Sequence, residues 1–196
     1  MFTINPCAAG CGRSAITGSN LCFIHHANSE QEYKRICDYI KDNLTLKDLS
    51  VSGMRFYNID FSGRHFYGCD FKGTLFSDCD FSGVKMRMSF FDFAEILKCD
   101  FSKSDLQFLS FAGAGIQSCF FTDSEIVHVN FEGASISGTS FNNSNLYNSR
   151  YISADIKKTT FNNCNLKRVH FANGKHDNVL FKSSNTAEAL FKMEEQ

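Results

Sequence analysis

Residues 69–101 read CDFKG TLFSD CDFSG VKMRM SFFDF AEILK CDF, and a large apolar residue occupies every fifth position of this stretch. The same spacing runs from Leu46 to Phe181, over 28 consecutive units without an insertion, and only His176 departs from it. A helix repeats its face every 3.6 residues and a strand every 2, so neither element explains a repeat of five. The sequence therefore predicts a solenoid whose short units gain a core by stacking.

A second position, two residues before each large one, is usually small. The units Cys69-Asp70-Phe71-Lys72-Gly73 and Cys79-Asp80-Phe81-Ser82-Gly83 show the arrangement. They resemble the pentapeptide-repeat family, whose motif is a small residue, Asp or Asn, Leu or Phe, and two variable residues. The resemblance implies an all-β solenoid, namely a right-handed quadrilateral β-helix with four units in each coil and about seven coils.

The sequence supports four units in each coil, because residues 20 apart are of one type. One such column is pure Phe: Phe61, Phe81, Phe101, Phe121, Phe141, Phe161 and Phe181. Stacked rings gain about 0.5–1.5 kcal/mol per pair beyond their burial, which favours this segregation. Gly recurs two residues after the central position, and Asn143 and Asn163 replace it later, as corner turns with positive φ require.

Composition limits the classes of protein that the chain can be. The net charge is −1, so no overall acidic or basic field is present. No apolar run approaches a membrane span and the N-terminus lacks the regions of a signal peptide, so we expect a cytoplasmic protein without a membrane partner. Five of the nine cysteines occupy the small inward position, where we expect core-filling free thiols: Cys69, Cys79, Cys99, Cys119 and Cys164.

The N-terminal stretch 1–27 is a separate segment with the spacing of a metal site. Cys7 and Cys11 make one short pair, and Cys22 and His25 make another after a ten-residue gap. Three thiolates and one imidazole hold Zn²⁺ in tetrahedral sites. Residues 10–25 also resemble short bacterial zinc knuckles of the form GC-x-R…G-x-LC-x-x-H. We therefore expect structural Zn²⁺ on Cys7, Cys11, Cys22 and His25, with His26 as the alternative fourth ligand.

Two further segments flank the rod, which we place at residues 46–184. Within 28–45, a helix from Ser29 to Asn43 is expected, with Ser29 and Glu32 as a capping box. Its apolar stripe should cover the open N-terminal end of the solenoid: Tyr33, Ile36, Cys37, Ile40 and Leu44. Residues 185–196 predict a short C-terminal helix, which would close the other end or pack on a second copy in a homodimer. Because His176 and Gly174 occupy inward positions, the last coil is expected to be irregular.

The outward positions offer two candidate contact surfaces. The rod has 12 acidic and 8 basic residues over 46–132, but 2 acidic and 6 basic residues over 133–181. A basic end of this kind favours phosphate or an acidic protein surface. Large aromatic residues also occupy outward positions, where they indicate a contact patch unless the backbone turns them inward. The candidate contact residues are Phe90, Phe93, Phe108, Lys157, Lys158, Lys167 and Arg168.

The sequence offers no catalytic arrangement. His65, His128 and His170 are isolated outward residues, and no paired-carboxylate motif, phosphate-binding loop or nucleophile elbow is present. We therefore predict a non-enzymatic scaffold that binds an unidentified protein partner. One alternative is nucleic-acid association through the knuckle and the basic coils. A further alternative follows from the resemblance, since some pentapeptide-repeat proteins mimic duplex DNA and bind DNA gyrase; that role needs an acidic rod, and this rod has 14 acidic and 14 basic residues.

Overall fold

The structure, a computed structural model, describes residues 5–192 of the 196-residue chain. A short 3-10 turn, Phe23–His25, precedes one α-helix, α1, at Ser29–Asp42, and a second 3-10 turn lies at Thr186–Glu188. Between them lie three-residue strands: β1 Thr45–Lys47, β2 Arg55–Tyr57, β3 His65–Tyr67, β4 Leu75–Ser77, β5 Lys85–Arg87, β6 Glu95–Leu97, β7 Asp105–Gln107, β8 Gly115–Gln117, β9 Glu125–Val127, β10 Ser135–Ser137, β11 Asp155–Lys157 and β12 Lys175–Asp177.

The strands pair in parallel, each with its counterpart one coil later, as in Leu46 with Phe66 and Ile136 with Ile156. One face is a five-stranded sheet in the order β1-β3-β5-β7-β9, and the opposite face is a seven-stranded sheet in the order β12-β11-β10-β8-β6-β4-β2. Single parallel bridges build the other two faces, such as Ser50 with Asp70. The predicted right-handed quadrilateral β-helix of about seven coils is confirmed.

The core consists of the stacked columns that the sequence predicts. Phe101 lies between Phe81 and Phe121, with ring centroids 4.5 and 4.8 Å apart and planes within 4° of parallel. Across the interior, the Phe101 and Phe111 rings meet edge to face at 6.4 Å and 87°. The predicted small inward cysteines of the rod are buried free thiols. The five-residue repeat therefore encodes an unbroken core.

The corner turns place the residue two after each central position in the left-handed region. Gly133 has φ 66° there and Asn143 has φ 60°, as predicted. Bulky residues adopt the same conformation, including Phe93 at 57° and Phe108 at 56°. The left-handed region costs an ordinary residue about 1–2 kcal/mol. The coil geometry therefore overrides the local preference of the residue.

The helix α1 covers the N-terminal end, but its cap differs from the predicted one. Asn28, not Ser29, is the N-cap, because its Oδ1 accepts a hydrogen bond from the Gln31 amide at 3.0 Å. Asn caps as well as Ser, so the residue one position earlier takes the role. Ile36 and Ile40 are buried in the rod's core cluster. The prediction that Leu44 belongs to the stripe is wrong, since the helix ends at Asp42 and Leu44 is exposed.

The C-terminal region continues the solenoid where a helix was expected. Within residues 185–192, a single 3-10 turn at Thr186–Glu188 replaces the predicted helix; residues 193–196 lie outside the described part of the chain. Leu190 then bridges His170, and the Phe191 ring stacks 5.1 Å from Phe171. The last coil is irregular, as expected, but the irregularity lies at the 3-10 turn rather than at His176, which keeps its register with Ile156. The coil geometry fixes the backbone even where the inward residue is polar.

Tyr151 interrupts a column of Phe rings, and its replacement by Phe should stabilise the protein. Its ring stacks between Phe131 and Phe171, while its hydroxyl is buried with no hydrogen-bond partner among residues 5–192. A buried unsatisfied polar group costs about 1–3 kcal/mol. We expect Tyr151→Phe to raise the free energy of urea unfolding by about that amount. Tyr147→Phe is the control; a destabilised Tyr151→Phe would show that the hydroxyl is satisfied.

Buried thiols should make the fold sensitive to alkali. Burial raises the pKa of Cys69 to about 12 and that of Cys119 to about 11, from an ordinary value of 9.0. The unfolded chain therefore loses these protons first, so stability should fall as the pH rises from about 9 through 11. Urea unfolding at pH 8 and pH 10.5 measures the loss. A Cys69→Ala, Cys119→Ala variant should lose less stability; an equal loss would contradict the assignment.

Candidate metal centre and contact surfaces

The N-terminal segment brings four candidate ligands together. The Cys7 amide donates to the Arg13 carbonyl at 2.9 Å, which closes the loop that contains Cys11. The Cys22 amide donates to Cys7 Sγ at 3.2 Å, and the turn after Cys22 returns His25 toward the thiols. All four ligand atoms lie within 4.8 Å of one another. These residues are therefore close enough to hold a metal ion.

The spacing of the ligand atoms fits a tetrahedral ion. Cys11 Sγ and Cys22 Sγ are 3.7 Å apart, and His25 Nδ1 lies 3.4 Å from Cys7 Sγ and 3.5 Å from Cys22 Sγ. Bonds of about 2.3 Å to sulfur and about 2.1 Å to nitrogen in a tetrahedron give edges of about 3.8 and 3.6 Å. A hydrogen bond from the Cys22 amide also lowers the pKa of Cys7, which favours the thiolate that binds metal.

His26, the alternative ligand, lies outside this group. Its Nδ1 is 4.0 Å from Glu32 Oε1, and its Nε2 is buried without a hydrogen-bond partner among the described residues. His25 is instead the imidazole beside the thiols. The two histidines therefore have different surroundings. Their positions in the sequence do not show which of them lies beside the thiols.

The segment is joined to the first coil by hydrogen bonds. The Thr17 amide donates to the Ser50 carbonyl at 2.9 Å, and the Ser50 amide donates to Thr17 Oγ1 at 2.7 Å. Arg35 of α1 donates to the Thr17 carbonyl at 2.6 Å, and Ile16 is part of the rod's core cluster. Thr17 therefore makes the hydrogen bonds to the edge of the first coil that a preceding coil would otherwise make.

The predicted aromatic contact residues lie on different parts of the rod. Phe93 is 73 % exposed, and its ring lies over Gly113, where an added Cβ would come within 2.6 Å of it. Phe108 is 54 % exposed on another corner, where it stacks on His128 at 5.0 Å. Phe90 is half-buried, with Lys72 Nζ 4.9 Å from its ring centroid. The backbone turns none of the three rings fully inward.

The predicted basic residues divide between two opposite faces. Lys157 and Lys158 lie at the seven-stranded sheet, where Lys157 donates to Asp155 Oδ2 at 2.8 Å. Lys167 and Arg168 follow the line of the five-stranded sheet; Lys167 is 4.0 Å from Glu188 and Arg168 donates to Tyr147 Oη at 3.3 Å. The structure therefore does not join the four cations in one patch.

Sequence reasoning missed a line of large side chains along one corner, which we call the corner ridge. Consecutive coils contribute Met88, Phe108, His128, Tyr147 and Arg168. His128 stacks on Phe108 and meets the Tyr147 ring edge to face at 5.8 Å. Four of the five residues share one phase of the coil repeat, so the spacing that revealed the inward columns would also have revealed this outward one.

The recurring aspartates have a local structural role. Oδ1 of Asp60, Asp80 and Asp100 accepts a hydrogen bond from the amide two residues later, at 2.7–2.8 Å. These carboxylates therefore stabilise turns, as short polar side chains often do. Among residues 5–192, one group of three or more Cys, His, Asp or Glu side chains is close enough to bind a metal. No helix in this part of the chain is long and apolar enough to span a membrane.

Comparison with known proteins gives the family. A model described as a pentapeptide repeat region matches residues 94–171 and 124–195, and a model of eight pentapeptide repeats matches residues 55–91. A search of curated proteins finds no match.

Several solved structures are similar to the chain. HetL, a pentapeptide repeat protein involved in heterocyst differentiation regulation from the cyanobacterium Nostoc sp. strain PCC 7120, is 12 % identical, with 85 % of this chain and 98 % of HetL covered and a TM-score of 0.35. Rfr23 from the cyanobacterium Cyanothece 51142 is 13 % identical, with 76 % and 99 % covered and a TM-score of 0.36. Full-length QnrB1, a plasmid-mediated fluoroquinolone resistance protein, is 19 % identical, with 69 % and 91 % covered and a TM-score of 0.24. Because the family models match more than half of its residues, the chain belongs to the pentapeptide-repeat family.

Proposed function

We propose that the protein is a non-enzymatic scaffold that binds another protein through its rod. The observation that carries this proposal is the exposure of large aromatic side chains on a continuous rod, with Phe93 73 % and Phe108 54 % exposed. Contiguous exposed apolar surface often marks a protein contact site. Asp60 and Asp80 accept hydrogen bonds within their turns, so their recurrence has a structural explanation.

A crosslinking experiment on the full chain tests the scaffold. A photoreactive phenylalanine analogue is placed at Phe93, Phe108 or Lys158, which lie at three corners of the rod, or at Phe120, which lies on a face. The cells that make the protein are then irradiated. We expect protein adducts at one or two of these positions, unchanged by nuclease. Adducts that disappear with nuclease would assign the rod to nucleic acid. The absence of any adduct at all four positions would contradict the scaffold.

We further propose that Cys7, Cys11, Cys22 and His25 hold Zn²⁺ in a structural role. The three sulfur–sulfur and sulfur–nitrogen separations fit the edges of a zinc tetrahedron. Four protein ligands leave no position open for water or substrate, so the ion would stabilise the segment against the first coil. Metal analysis of the purified chain should give one zinc per molecule, and a chain without bound metal would contradict the proposal.

The alternatives have weaker support. Nucleic-acid binding by the basic coils would use cations that lie on opposite faces of the rod. DNA mimicry toward gyrase needs an acidic rod, and this rod has 14 residues of each sign. Homodimerisation through the C-terminal end has one favourable observation, since Leu180 and Leu190 are exposed there. Light scattering over a range of concentrations measures the mass and decides for or against the dimer.

A further inference from the structure

We infer that the corner ridge is the docking surface for an acidic segment of a partner protein that carries a bulky apolar side chain. This inference rests on the proposed scaffold function and names its contact surface and the chemistry of its partner. The ridge has an apolar half, at Met88 and Phe108, and a cationic half, at Arg168.

The apolar half is exposed at some cost to the fold. Met88 is 45 % and Phe108 54 % exposed, although both occupy left-handed turn positions, with φ 49° and 56°. Gly68 and Asn148 occupy the same position in other coils, where such residues adopt this conformation readily. Large apolar side chains therefore remain in solvent at a position that Gly or Asn fills at lower conformational cost.

The cationic half lies in the part of the rod that has 6 basic and 2 acidic residues over 133–181, with Glu188 one coil further along the same corner. Arg150 pairs with Glu132 at 3.1 Å and Lys167 is 4.0 Å from Glu188, whereas the hydrogen bond that Arg168 donates to a side chain goes to the neutral Tyr147 hydroxyl. Both acidic residues of 133–181, Asp155 and Asp177, lie in the strands β11 and β12 of the opposite face. Arg168 therefore makes no ion pair with an acidic side chain of residues 5–192, and a guanidinium binds a carboxylate with two parallel hydrogen bonds.

The length and ring geometry favour a protein segment. Met88 and Arg168 are four coils apart, or about 19 Å at a strand spacing of about 4.8 Å. An extended segment of about six residues covers this distance at about 3.3 Å per residue. Single-stranded nucleic acid needs open ring faces on which bases stack. The parallel rings of Phe108 and His128, 5.0 Å apart on successive coils, instead face each other along the rod.

A selection experiment with matched variants tests the inference. Phage-displayed random 12-residue peptides are selected on the immobilised full chain, and the consensus peptide is synthesised and its affinity measured. We expect Asp or Glu about six residues from an aromatic or aliphatic residue, the separation that the length of the ridge gives. Phe108→Asn and Arg168→Ala should each weaken binding about tenfold or more. Asn is the substitute because Asn148 occupies the same turn position two coils later.

The controls lie elsewhere on the same rod. Phe120 is also 54 % exposed, and Lys158 also occupies a left-handed turn, so Phe120→Asn and Lys158→Ala should leave the affinity unchanged. If the consensus peptide binds the Phe108→Asn and Arg168→Ala variants as tightly as the unchanged chain, or contains no acidic residue, the corner ridge is not the docking surface. Either result leaves the proposed scaffold function standing. Recovery of no consensus would overturn the ridge as well. Binding of a labelled 12-nucleotide DNA or RNA that Arg168→Ala abolishes would reassign the surface to nucleic acid.

Discussion

Replacing Phe101 with Ala should lower the free energy of unfolding by about 3–5 kcal/mol. The Phe101 side chain is fully buried and packs face to face with Phe81 and Phe121 and edge to face with Phe91 and Phe111. Truncation removes both the transfer free energy of the ring and the contacts of its neighbours, and a rod of stacked coils closes poorly around the space left. Urea unfolding followed by circular dichroism measures the difference.

The position of Phe101 within the rod sharpens this experiment. Each coil contacts mainly its neighbours, so the substitution weakens the interfaces on both sides. The matched control is Phe120→Ala, which removes the same ring from a position that is 54 % exposed. We expect the control to change stability by less than about 1 kcal/mol. Equal losses from the two variants would show that the buried column of Phe rings is not what stabilises the rod.

Removing the proposed metal with a chelator should release the N-terminal segment and uncover the edge of the first coil. Structural zinc contributes an apparent binding free energy of about 10–16 kcal/mol in small zinc-binding peptides, so residues 5–27 should lose their order without it. Because Thr17 exchanges hydrogen bonds with Ser50, the loss should also reach the rod's first coil. Hydrogen exchange with and without a chelator should show faster exchange at Ser50, while Phe101 stays protected.

A pair of cysteine variants separates metal binding from general stability. Cys22→Ala removes a ligand, whereas Cys37→Ala removes a thiol of α1 that lies outside the ligand group. We expect the first variant to lose the metal and behave as the chelated protein, and the second to keep the metal. Cooperative unfolding of the whole rod on chelation would show that the segment and the coils form one folding unit.

The sequence predicts the coil because one large inward residue in five leaves few alternative folds. The stacking of Phe101 on Phe81 and Phe121 follows from that period alone. The ends are harder to predict, because Asn28 and Ser29 cap helices equally well and only the structure distinguishes them. At the other end, position 186 belongs to the five-residue series but holds Thr instead of a large apolar residue. The sequence therefore did not show that the series resumes at Phe191, whose ring stacks on that of Phe171.

The candidate sites were predicted to different extents. The spacing of Cys and His identifies the four candidate metal ligands, because short ligand pairs are a local feature of the chain. The choice between His25 and His26 depends on the turn at Phe23–His25, which spacing does not specify. The corner ridge consists of side chains from five different coils. When each outward residue is considered alone, the sequence does not show that Phe108 stacks on His128.

The pairing of every coil with the next one along the chain also has a consequence for synthesis. A nascent coil completes its hydrogen bonds as soon as the following coil has left the ribosome, because no strand waits for a distant partner. At about 5–20 residues per second, the rod would grow by one coil every few seconds. The N-terminal segment and α1 emerge first and provide the template on which this cotranslational growth begins.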